Sequence, residues 1–474
     1  MSTASELTHD PEPIHADLYA LDPKHAQAAP ETLKERFRYL GPGMIMSAAV
    51  IGSGELITTT TMGARVGFAL LWLIVLSTLV KVWVQMELAT YTILNGIPAM
   101  QAYSRVPFKI GKASWINVLW FLMDVCKMFQ RGGIIGGAVA AFSIMLPVFG
   151  EPLGQASLIF WLVVLVAITV VLNVLNRYAL VERVAFVMVV VFTLITVGLA
   201  LSLPFTPFAY TAADIAGGFS FNIPAGALGI AIAVFGLTGV GADEMTTYTY
   251  WCMEKGYARW TGPDDGSEER AQRAVGWIKV MRLDILVSWI ICTLCTMSFY
   301  LMGAAVLHPQ GLNPKGNAVI TTLSRMYSDI LGAPGFYIFL IGAIGVLWST
   351  FIASTASVPR LWANNLAVFG AYDWHNVATR NRLIRIFTIV MPMIWAATYL
   401  GLKSPVIMVM IGGIGGAVFL VAVLIATWYL RTTGVEKRFR SNTFLNIMFV
   451  LSSLAIAALG VISLFDALGI EIGG

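Results

Sequence analysis

The sequence predicts an all-α polytopic membrane protein, a single transmembrane domain with a repeated organisation, and three observations carry that prediction. The 474 residues are 58% apolar and only 12% charged, whereas soluble chains carry about 25% charged residues. The mean hydropathy is +0.77. Its apolar residues come in uncharged runs of roughly 20, the length that crosses a bilayer, and not in amphipathic stripes. Two of those runs, the first and the sixth, are interrupted in mid-span by glycines and carboxylates.

Residues 1–38 are polar, contain Pro11, Pro13 and Pro23, and lack the apolar stretch of a signal peptide; they are read as a cytoplasmic tail. The remainder, 39–474, is read as one transmembrane domain. Eleven apolar runs follow in it, at about 41–63, 68–94, 115–147, 156–175, 182–203, 225–251, 284–306, 335–356, 383–400, 405–430 and 443–467. Of the 30 Lys and Arg, 23 fall in the tail, in the loops after spans 2, 4, 6, 8 and 10 or at the span ends that adjoin those loops, against four in the opposite loops. That bias puts the N-terminus in the cytoplasm, and the small formal charge of +4 does not imply nucleic-acid binding. The long loop from Lys255 to Arg282 is expected to hold a turn at Gly262–Gly266 and an amphipathic surface helix from Glu268 to Met281. Cys126, Cys252, Cys292 and Cys295 lie in or beside apolar spans and are read as small hydrophobes. No nucleotide-binding motif is present, which argues against a primary pump.

Span 1 carries Ile51-Gly52-Ser53-Gly54-Glu55 and span 6 carries Gly236-Leu237-Thr238-Gly239-Val240-Gly241-Ala242-Asp243-Glu244. Unwound backbone at bilayer depth is tolerated only where it lines a cavity or binds an ion. Interruptions at matching places in two halves, here five spans apart, point to an inverted-repeat transporter with its substrate between the broken helices. Helix packing by small residues explains Gly412, Gly413, Gly415 and Gly416 in span 10. It does not explain Glu55, Asp243 and Glu244, since intramembrane carboxylates are by default functional.

The chain from Gly41-Pro42-Gly43 through Asn95-Gly96 resembles the first two spans of the natural resistance-associated macrophage protein (NRAMP) metal-ion transporters. Further similarity lies in Val181–Met188, in Arg282-Leu283-Asp284 and in Ser404-Pro405-Val406-Ile407. The resemblance implies the LeuT fold: two inverted five-helix repeats, here about 41–203 and 225–430, with 443–467 as an extra eleventh helix. It also exposes a departure. The family's metal chemistry lies in an Asp-Pro-Gly-Asn motif in span 1 and a Met-Pro-His motif in span 6. Their places are taken by Gly52-Ser53-Gly54-Glu55 and Val240-Gly241-Ala242, which offer no soft donor for a transition metal. None of the five histidines lies in a span. Where the family has an acidic pair in span 3, this chain has Asp124, Lys127, Gln130 and Arg131. Arg131 either snorkels to the membrane edge while Asp124 pairs with Lys127, or faces the cavity, where it would repel a divalent cation and attract an oxyanion.

The expected substrate site therefore comprises Gly52, Ser53 and Gly54 in span 1 with Thr238, Gly239, Val240, Gly241 and Ala242 in span 6, offering backbone N–H groups at helix N-termini that favour anions. Bicarbonate fits that chemistry, moved by alternating access and coupled to H+ or Na+. Glu55, Asp243 and Glu244 have three readings: helix caps, carriers of a coupling ion, or ligands of a hard cation such as Mg2+, with Mn2+ a weaker fit. Asp124, Lys127 and Arg131 are the expected charge determinants. A non-transporting sensor is a minor alternative, since no effector domain is attached. No cofactor is expected; the partners are a small inorganic ion and the lipid of a bacterial inner membrane. In span 2, Lys81 and Gln85 share a face beside Glu87, and the family-like position of Gln85 suggests inter-helix packing; Ser349, Thr350, Ser354 and Thr355 in span 8 either line the cavity or make helix–helix contacts.

Overall fold

The computed structural model describes residues 17–175, 178–440 and 442–467. Ten of its helices are long and apolar enough to cross a membrane. The first span adds an eleventh crossing in three consecutive helical pieces, Pro42–Val50, Ile51–Thr59 and Thr60–Val66. The others are span 2 (Leu71–Asn95), span 3 (Trp115–Met145), span 4 (Gln155–Val174), span 5 (Tyr178–Ser202), span 6 in halves 6a (Leu228–Leu237) and 6b (Ala242–Lys255), span 7 (Glu268–Met302), span 8 (Ala333–Val368), span 9 (Val377–Leu402), span 10 (Pro405–Gly434) and span 11 (Thr443–Ala467). Spans 2 and 6 are the most buried and spans 4, 9 and 11 the least, so the broken helix lies inside a ring of lipid-facing ones.

Small residues set the closest approaches. A methyl group on Gly236 would collide with the Gly413 carbonyl, and one on Gly412 with Gln130. Spans 6a and 3 thereby pack directly on span 10, as the glycines of that span predict. Charge also ties elements together. Arg431 of span 10 pairs with Glu87 of span 2 at 2.9 Å, both buried. Asp284, in the Arg-Leu-Asp stretch of span 7, accepts from the N–H groups of Gly41 and Gly43 at 2.9 and 2.5 Å and from the Tyr248 hydroxyl at 2.8 Å. Its carboxylate caps the start of span 1, where helical N–H groups have no partners of their own.

Two expectations are corrected and two features are added. Span 1 is not unwound at Ile51-Gly52-Ser53-Gly54-Glu55: it widens into a π-helix, which keeps backbone hydrogen bonds inside the helix and absorbs the glycines as a bulge. The Glu268–Met281 stretch is no separate surface helix, because it continues without a breaker into span 7. A further amphipathic helix, Val319–Leu331, precedes span 8. Finally, the described part of the tail is docked. Asp17 pairs with Arg380 at 2.7 Å, the Tyr19 hydroxyl donates to Glu254 at 2.5 Å, and Trp277 Nε1 donates to the Gln27 carbonyl at 3.0 Å. His9 and His15 lie outside the described residues.

Candidate functional site

Span 6 breaks within the run Gly236–Gly241, where glycine supplies the positive φ that the turn requires. Thr238 turns to extended backbone (ψ 142°), Gly239 adopts φ 65°, and Gly241 is extended again before 6b begins. Asp243 and Glu244 occupy the first turn of 6b, where negative charge offsets the helix dipole. Glu244 folds back beside Gly241, its carboxylate standing where a methyl group on that glycine would lie.

From this turn onward, helical periodicity builds a face. Asp243, Thr247 and Trp251 recur at four-residue intervals and line a cavity of about 30 Å³, room for a water or two. The opposite wall is span 3, where Lys127, Gln130, Arg131 and Ile134 share one face. Thr350, Ser354 and Ser357 of span 8 and Ile45 and Met46 of span 1 close it.

Its polar groups form a charge network. Arg131 is buried, with Nη1 2.6 Å from Asp124 and Nη2 2.7 Å from Asp243, and its guanidinium lies over Trp395 at 5.1 Å. Asp124 also accepts from Trp362 Nε1 at 2.7 Å. Arg131 therefore faces the cavity instead of snorkelling, and Asp124 pairs with it and not with Lys127. Lys127 points at Glu244, Nζ to Oε1 3.7 Å, too long for a hydrogen bond. Lys127 Nζ, Gln130 Oε1, Asp243 Oδ1 and Glu244 Oε2 are buried with no hydrogen-bond partner. Three acids and two bases leave the network with a formal charge of −1.

Of the expected site residues, Asp243, Glu244, Lys127 and Arg131 reach this cavity and Asp124 supports it. Gly52, Gly54, Thr238, Gly239, Val240, Gly241 and Ala242 are not among its lining residues. A methyl group on Gly52 would strike Thr350 and the Val346 carbonyl, and one on Gly54 would press on Leu237 at 3.1 Å, so these two glycines serve helix approach. The Ser53 side chain lies outside those described. Glu55 is also elsewhere: it accepts from Gly239 N–H and the Thr59 hydroxyl, each at 3.0 Å. Glu55 thus stands apart from Asp243 and Glu244, and among the described residues no group of three or more His, Cys, Asp or Glu side chains comes together. Of the span 8 hydroxyls left open between cavity and helix contact, Thr350 and Ser354 line the cavity. Continuing the four-residue interval from Asp243 would have found Thr247 and Trp251.

A family sequence model described as natural resistance-associated macrophage protein-like matches residues 43–466. The chain belongs to the Nramp family. Among its relatives, the divalent metal cation transporter MntH of Verminephrobacter eiseniae is 22% identical over 451 residues, covering 92% of this chain and 91% of the relative. Among solved structures, a mutant of the manganese transporter of Eremococcus coleocola superposes with a TM-score of 0.63 at 15% identity, covering 95% of this chain and 92% of the other. Mhp1, a nucleobase-cation-symport-1 family transporter, gives 0.53 at 13% identity, covering 94% and 95%. The Nramp chain is an all-α integral membrane protein of the LeuT fold.

Proposed function

We propose that this Nramp-family secondary transporter moves a small monovalent oxyanion, bicarbonate being the best fit, together with a proton. One observation carries the reading. The Lys127 ammonium is buried to 1% exposure in the cavity with no hydrogen bond to satisfy it, and a buried charge in that state is costly unless a ligand completes it. An anion entering the cavity takes the place of the Glu244 carboxylate against Lys127. Glu244, displaced, takes up the proton, so the site keeps its charge. Arg131, held by Asp124 and Asp243, fixes the wall against which this exchange occurs. The repeat division at about 41–203 and 225–430 belongs to the same reading and is supported by the π-bulge of span 1 and the break of span 6, five spans apart. The Lys and Arg bias supports a cytoplasmic N-terminus in a bacterial inner membrane.

Uptake of labelled bicarbonate into proteoliposomes, with Mg2+ and Mn2+ run alongside, tests the reading. Saturable Mn2+ uptake without bicarbonate uptake overturns it. A second reading has its own support: Gln130 Oε1, Asp243 Oδ1 and Glu244 Oε2 are three unpaired oxygens at one cavity, suited to a hydrated hard cation, and the MntH relatives are named for divalent metals. Lys127→Met separates the two. The anion reading expects bicarbonate uptake to fall at least tenfold; the cation reading expects Mg2+ uptake to persist or rise once the ammonium is gone.

A further inference from the structure

The break in span 6 undoes a hydrogen bond whose two halves both find charged partners. In an unbroken helix the Phe235 carbonyl would accept from Gly239 N–H, four residues on. Here Gly239 N–H donates to Glu55. The Phe235 carbonyl accepts from Lys81 Nζ, which also donates to the Thr238 carbonyl at 2.7 Å. Ser77, one turn earlier on span 2, reaches the same two carbonyls at 3.4 Å. The Lys81 ammonium lies 4.8 Å from the centre of the Phe235 ring, and the side chain is fully buried. Carbonyls released where a membrane helix is interrupted, at the negative end of a half-helix, are the groups that coordinate a dissolved cation in transporters of this architecture.

We propose that Lys81 supplies that cation in tethered form: its ammonium occupies the carbonyl cradle at the end of span 6a, Glu55 balances it, and the cradle takes no sodium. The chemistry is economical of groups, since an ammonium offers three N–H donors and the cradle offers two backbone carbonyls and an aromatic face. The packing alternative, in which only the aliphatic stem of Lys81 matters, makes a different forecast. Nothing in the proposal depends on which ion is the cargo in the cavity lined by Lys127.

The test is thermal unfolding of the purified full chain in detergent, in choline, sodium, potassium, ammonium or methylammonium chloride at equal concentration. Wild type is expected to show one midpoint in all five. Lys81→Ala is expected to fall by several degrees in choline and to recover most of that loss in ammonium or methylammonium, which can enter the vacated cradle. Lys81→Met, which keeps the stem and fills the space, is expected to fall and not recover. A Lys81→Met variant as stable as wild type, or a Lys81→Ala variant with no cation-specific recovery, overturns the proposal. Should Lys81→Ala yield no folded protein, binding of radioactive sodium to wild type decides: saturable binding overturns the proposal and its absence upholds it.

Discussion

Replacing Gly239 with alanine would force an L-residue to φ 65°, which costs roughly 1–2 kcal/mol, and would set a methyl group 3.2 Å from Thr78 Cα. Replacing Gly236, three residues earlier, would instead drive a methyl group into the Gly413 carbonyl of span 10, an overpacking fault of about 1–3 kcal/mol. Both variants should unfold at lower temperature. Only Gly239→Ala should also disturb the Glu55 and Lys81 contacts, and so shift cation sensitivity in the unfolding assay. The two glycines look alike in the sequence, because neither φ nor a neighbouring helix can be read from a residue type. Charge was more legible: Asp243, Glu244, Lys127 and Arg131 reach one cavity as intramembrane charges should. Glu55 did not join them, since its partner is a backbone N–H that exists only because span 6 breaks.

At the scale of elements, the Asp284 cap links spans 7, 6 and 1 through one carboxylate. Asp284→Ala leaves the first N–H groups of span 1 and the Tyr248 hydroxyl without their acceptor. Losing a cap costs about 0.5–2 kcal/mol, and the buried hydroxyl adds to it, so a clear drop in the unfolding midpoint is expected; Asp284→Asn, which keeps one acceptor oxygen, should lose less. The eleven spans and their order were legible from apolar run length alone, which is a one-dimensional property. The state of each break was not. Gly52 and Gly54 resemble the span 6 glycines by spacing, yet span 1 has a π-bulge pressed on Thr350 and Leu237, and only the neighbours decide whether such a run widens or opens. Glycine density is no guide either, since span 10 stays helical through Gly412, Gly413, Gly415 and Gly416 while span 6 opens at Gly239.

For the whole molecule, the central question is how a site with a formal charge of −1 alternates without stranding charge in the membrane. Arg131 cannot be the moving part, because Asp124, Asp243 and Trp395 hold it on three sides. Lys127 and Glu244 are the loose pair, 3.7 Å apart on spans 3 and 6b, and Glu244 is the more accessible partner, its side chain 15% exposed against 1% for Lys127. Under the oxyanion proposal, an anion that displaces Glu244 would add a negative charge and protonation of Glu244 would remove one, so cargo and proton would cross together with no net change at the site. Glu244→Gln fixes that position in its neutral form. Under the oxyanion reading, bicarbonate should still bind, but an inward proton gradient should no longer accelerate its uptake, and counterflow exchange should survive. Uptake by Glu244→Gln that still responds to the proton gradient would remove Glu244 from the coupling step.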